Sequence, residues 1–193
     1  MTQREPHSDN TEAFANTVVA ATKTWIYALV VDLNLCPFAR KVLENDSVRF
    51  AVTEVNQESE LLAVLDTELE RMHLNPEIET AFLIHPRLLR DFHDYNQFLT
   101  RCDRLLVAKD LEGVFQIASF HPHYQFACTD TEDAENYSNR SPHPMLHILR
   151  ESSVAQAVAS HPDADGIPHR NIQTLNALGA THLEAFLRKT LNA

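Results

Sequence analysis

The feature that most constrains this chain is an alternation between residues 47 and 121, where short apolar segments are separated by long amphipathic ones. "SVRFAVTEV" (47–55), "TAFLIH" (80–85) and "GVFQIASFH" (113–121) are rich in β-branched and aromatic residues, as strands are. Between them, residues 58–72 place Leu61, Leu65, Leu69 and Met72 on one helical face. Residues 87–106 do the same with Leu88, Phe92, Tyr95, Leu99, Cys102 and Leu106. Strands joined through helices of this length form crossovers, so the pattern predicts an α/β fold built on a small parallel β-α-β-α-β sheet. "TAFLIH" is apolar throughout and is expected to be buried on both faces.

The flanks add helices around that sheet. Residues 1–11 are polar and expected to be flexible, leaving 12–193 as a single α/β domain. From Thr11, the positions Phe14, Val18, Ala21, Trp25, Leu29 and Leu33 mark one helix face. That helix is expected to stop near Asn34, because Pro37 disfavours helical geometry at Cys36. After the polar loop "CTDTEDAENYSNRSPHP", residues 145–159 read as a helix. "RNIQTLNAL" reads as another, closed by Gly179, and "THLE" (181–184) as a capping box opening the last helix.

Composition removes several function classes. The chain has 3 glycines, Gly113, Gly166 and Gly179, all far apart. Neither a phosphate-cradling loop nor a dinucleotide fingerprint can be built from them, so no nucleotide cofactor is expected. A net charge of −11 repels phosphate backbones, which argues against nucleic-acid partners. "MTQREPHSDN" carries no apolar signal core, and no run of about 18 apolar residues occurs, so no membrane partner is expected. Three cysteines without framework spacing fit a reducing, cytoplasmic setting.

Four places carry candidate chemistry. His121 falls at the carboxyl end of the third strand, the edge where open α/β sheets usually form sites; its bland alternative is a strand-end residue bonded to loop backbone. His147 and Glu151 lie four apart and on a helix would share a face, as a metal-ligand pair or an imidazole oriented by a carboxylate. Cys36, at a helix exit, feels the negative end of the dipole, which raises a thiol pKa unless a cation or metal compensates. Arg140, before a helix start, and Arg150 offer a receptor for an anionic group, or else pair with surface acids.

"LNLCPFA" (33–39), "SFHP" (119–122), "YQFA" (124–127), "NYSNRSPHPMLHILRESSV" (136–154) and "IPHRNIQTLNALG" (167–179) together resemble the bacterial family named domain of unknown function 1415. The resemblance runs from about Trp25 to Gly179 and implies no assigned activity. It stresses Cys36, His121, Arg140, His147, Arg150 and Glu151, while His123, His143 and His169 stand where other residue types occur.

Three functional expectations follow. The first is a metal-dependent enzyme acting on a small anionic substrate, with His121, His147, Glu151 and Cys36 as ligands to zinc or iron. The second is a metal-free cysteine-dependent enzyme with Cys36 as nucleophile and His121 or His147 as base. The third is a non-catalytic adaptor or ligand-binding module.

Overall fold

A computed structural model describes residues 6–191, with side chains from Asn10 onward. The elements in chain order are α1 (Pro6–Trp25), α2 (Ala39–Glu44), β1 (Val48–Val52), α3 (Glu58–Leu74), β2 (Thr80–Ile84), α4 (Phe92–Ala108), β3 (Phe115–Phe120), β4 (Met145–Arg150), α5 (Glu151–Ser160), α6 (Ile167–Leu178) and α7 (Ala180–Thr190). A π-helical segment, Ile26–Val31, continues α1, and a 3-10 turn, Ala134–Ser138, lies inside the polar loop. The expected flexible stretch 1–11 falls partly outside the described residues; from Pro6 the chain is helical.

The fold is α/β, but the sheet is mixed rather than purely parallel. Its order is β1-β2-β4-β3. β1 and β2 are parallel, with Val48 opposite Thr80. β4 is antiparallel to both β2 and β3, so His147 sits opposite Phe82 on one side and Ala118 on the other. β1, β2 and β3 therefore share one direction, and β4 fills the gap between the last two.

Residues 145–150, expected as the start of a helix, thus form a central strand, and helix begins only at Glu151. The physical reason lies in "MLHILR" itself. Leu146 and Ile148 are buried in the core beneath α3 and α4, while Met145 is buried in the core on the opposite face. A segment with apolar residues on both sides suits a strand flanked by neighbours and covered on both faces.

Strand alternation divides the molecule into three layers. Ala81, Leu83, Leu146, Ile148 and Phe115 pack against Leu61, Leu65, Leu69 of α3 and Tyr95, Phe98, Cys102 of α4. Arg49 of β1 reaches the same side and grips the buried carboxylate of Glu68 on α3 through two bonds, 2.5 and 2.9 Å. On the other face, Phe82, Ile84 and Met145 meet Val18, Trp25, Ile26 and Leu29, with Leu175 of α6 and Leu183 of α7 behind them. Asn10–Val31 is long and apolar enough by composition to span a bilayer, at mean hydropathy 1.3. In the fold its Val18, Trp25 and Leu29 are core residues.

Other boundaries also moved. α4 starts at Phe92 because the Asp91 carboxylate accepts from the backbone N–H groups of His93 and Asp94, capping it there. Residues 87–91 form a turn instead. Gly179, at φ 80°, ends α6 as expected, but α7 opens directly at Ala180, so Thr181 does not cap it. α2, just after "CPF", had no distinct sequence signal.

Candidate functional site

The site grows from the sheet face opposite α3 and α4. Thr80 and Phe82 of β2, His147 and Leu149 of β4, and Gln116, Ala118 and Phe120 of β3 line the floor of a cavity of about 330 Å³. Its far wall is built from Trp25, Ile26 and Val30 at the π-helical segment, Cys36 and Phe38 in the following turn, Val42 and Leu43 of α2, and Ser153, Val154 and Ala157 of α5. The wider π turn is one of the few helical irregularities that recurs at functional sites, and here it contributes two wall residues, Ile26 and Val30. Apolar side chains make up most of the lining. Gln116 and Ser153 are polar but neutral; Glu79 and Arg150 also border the cavity.

His147 is the most informative group. Its ring stacks on Phe82, centroids 3.9 Å apart at 10°, and Nε2 lies 2.7 Å from the Thr80 hydroxyl oxygen. That hydroxyl donates its only hydrogen to the carbonyl of Ile148, at 2.6 Å. Thr80 Oγ1 can then only accept, so His147 carries its proton on Nε2 and leaves Nδ1 as a bare acceptor. Among the described residues, Nδ1 has no hydrogen-bond partner. The residue is half-buried, and what surface it keeps belongs to the cavity wall. Desolvation pushes its pKa down to about 3, so it is neutral at ordinary pH.

Cys36 lines the same cavity, so three of the sequence-predicted residues, Cys36, His147 and Arg150, border it. Its thiol pKa is raised, as expected, but by burial rather than by a helix dipole. The backbone N–H groups of Phe38 and Ala39 bond to it and offset part of that rise. The turn that carries it is held by Asn171 of α6, whose side-chain amide donates to the Leu35 carbonyl at 2.8 Å. This gives "RNI" a role in the wall.

His121 does not line the cavity. It is fully buried past the end of β3, where Nε2 donates to the Leu89 carbonyl at 3.1 Å and Nδ1 accepts from the His123 backbone N–H at 3.0 Å. Burial lowers its pKa to about 4. Beside it is a histidine the sequence reading passed over, His85, which donates from Nδ1 to the Leu88 carbonyl at 3.0 Å. His85 Nε2 is buried without a partner, and desolvation lowers this pKa also to about 4. The two imidazoles thus hold consecutive carbonyls of one turn in which Leu89 has φ 54°, a left-handed conformation unfavourable for a residue with a side chain.

The arginines are occupied as well. Arg150 donates to the carbonyls of Ile78, Met72 and Asn75, closing the end of α3, and lies over Phe115 on the opposite side of the sheet. Arg140 donates to the carbonyls of Tyr124 and Thr131 and covers the Tyr137 ring. Asn136 is buried in the same loop, accepting from Phe126 N–H and the Thr129 hydroxyl and donating to the Asp130 carbonyl. "NYSNR" is thereby accounted for as a loop clamp. Glu151 opens α5 on the next element, so it does not share a helical face with His147. Among the described residues, no three His, Cys, Asp or Glu side chains gather as a metal-binding group.

Thr80, Trp25 and Phe82 were missed as site residues, since only the β2–β4 pairing brings Thr80 to His147 from 67 positions away. A family model described as "Protein of unknown function (DUF1415)" matches residues 17–185. No curated protein and no solved structure matches the chain.

Proposed function

We propose that this chain, which belongs to the family described as protein of unknown function (DUF1415), is a ligand-binding protein that holds a small, mostly apolar molecule between its sheet and helices α2 and α5. The observation that carries this reading is the cavity: about 330 Å³, apolar on most sides, with one imidazole nitrogen that has no hydrogen-bond partner among the described residues. Pockets of this size and character, with few polar groups placed to orient the guest, are what small-molecule sites look like.

The catalytic readings fit the same residues less well. A cysteine enzyme needs a base able to take the thiol proton. His147 takes up a second proton only below about pH 3, while burial raises the Cys36 thiol above its ordinary value, so the transfer runs steeply uphill. A metal site built on His121 meets a different obstacle, because both nitrogens of that ring are spent on backbone.

Trp25 is the chain's single tryptophan and lines the cavity, so its fluorescence reports occupancy directly. Titration with para-propylanisole is expected to give a saturable change, with a dissociation constant on the order of 100 μM from about 0.5 kcal/mol per non-hydrogen atom. Ala118→Phe, which fills the floor, removes the response while the protein stays folded by circular dichroism. A linear, unsaturable signal in the natural protein, with this probe and with its isomer para-butylphenol alike, sinks the reading.

A further inference from the structure

We infer that the ligand is an uncharged hydroxyl compound whose O–H is accepted by His147 Nδ1, an aromatic alcohol of the phenol class being the best fit. This deepens the ligand-binding reading and rests on it. Three observations converge, and they replace the anionic substrate that Arg140 and Arg150 suggest from sequence with a neutral one.

The first is the proton bookkeeping of the polar pair on the cavity floor. Thr80 gives its only hydrogen to Ile148, so the imidazole must give its own to Thr80, and the nitrogen left over can accept but not donate. A ligand therefore meets an acceptor there, and only a donor completes it. A carboxylate or phosphate would set lone pair against lone pair.

The second is the absence of any positive charge to meet an anion. Among the described residues, Arg150 is the one Lys or Arg side chain bordering the cavity, and its guanidinium is turned to the α3 side, engaged with three carbonyls. The imidazole itself is neutral. Moving an anion out of water into such a wall without a counter-charge is strongly unfavourable.

The third is the aromatic character of the walls. Trp25, Phe38, Phe82 and Phe120 all face the space, with Trp25 and Phe120 edge-to-face at 5.3 Å. A planar ring can make stacked or edge contacts with such a set.

The test compares para-butylphenol with its isomer para-propylanisole, which has the same atoms but no donor, and with para-propylbenzoate, which is anionic. Trp25 fluorescence and calorimetry give each affinity. The phenol is expected to bind roughly tenfold tighter than the anisole, one net hydrogen bond's worth, and the benzoate weakest of the three. His147→Phe keeps a ring against Phe82 but removes the acceptor, and should bring the phenol-to-anisole ratio close to one. Thr80→Val, which releases the tautomer lock, should lower the same ratio and serves where the first variant does not fold. Independently, nitrogen NMR of the imidazole in the natural protein should show Nε2 protonated and Nδ1 bare at neutral pH.

Equal binding of phenol and anisole, tightest binding by the benzoate, or a proton found on Nδ1 overturns the inference while leaving the ligand-binding reading intact. Failure of all three probes to bind overturns both.

Discussion

At the scale of single residues, histidine is what this molecule uses most tellingly, and it uses it uncharged. His85, His121 and His147 all have pKa values depressed by burial, to about 4, about 4 and about 3. A histidine whose folded pKa lies below its ordinary 6.5 stabilises the fold fully above that value. The unfolded chain takes up the proton first, so stability declines as pH falls from 6.5 toward 4. His85 and His121 are each expected to contribute a loss of roughly 3 kcal/mol by pH 4. Urea midpoints measured from pH 7 down to pH 4.5 should fall steeply below 6, and His85→Gln/His121→Gln should flatten that slope. A midpoint indifferent to pH over this range contradicts the burial account.

The sequence did announce these residues, in a form easily overlooked. "TAFLIHP" and "QIASFHP" both end a strand with His-Pro, and both histidines secure the same turn by its carbonyls. His121 was legible as an ordered residue at a strand end, but its role is to hold backbone. The duties of Arg150 were not legible at all, because its acceptors lie 72 to 78 positions away, and long-range backbone contacts leave no local trace.

At the scale of elements, β1, α3, β2, α4 and β3 are legible because the helical periods of α3 and α4 are long, and they frame the short apolar runs as strands. Residues 145–150 did not, since a six-residue apolar run fits a buried strand and a buried helical turn equally well until neighbours are known. That misreading hid the pairing of His147 with Thr80. Two other elements border the cavity. α2 and α5 contain no fully buried residue, although Val42, Leu43, Val154 and Ala157 all face the cavity. Of these, Leu43 also packs against the core, and Phe38 meets His161 edge-on at 5.7 Å where the two helices approach. Such sparsely packed segments open locally at low cost. Amide hydrogen exchange in residues 39–44 and 151–160 is therefore expected to be at least about tenfold faster than in α3 and α4, and to slow when para-butylphenol is bound. Equal protection of all four helices in the free protein counts against this picture.

At the scale of the whole molecule, two apolar clusters lie on opposite faces of one thin sheet. Neither is independent, because each strand contributes alternate side chains to both. Trp25 reports on one cluster and Tyr95, whose hydroxyl bridges the Met145 carbonyl and the Phe120 N–H, on the other. Urea unfolding followed by Trp25 fluorescence and by the NMR signals of the Tyr95 ring should give coincident curves, as a single cooperative unit requires. Separate midpoints would divide the molecule into layers that melt apart.

The placement of β4 also orders events in time. Until synthesis has passed Arg150, the inner borders of β2 and β3 lack the strand that joins them, and each is a bare ladder of amide groups inviting the wrong partner. A nascent chain still on the ribosome therefore carries an unfinished seam through its middle, sealed only when a late segment threads into a slot that earlier ones have left open.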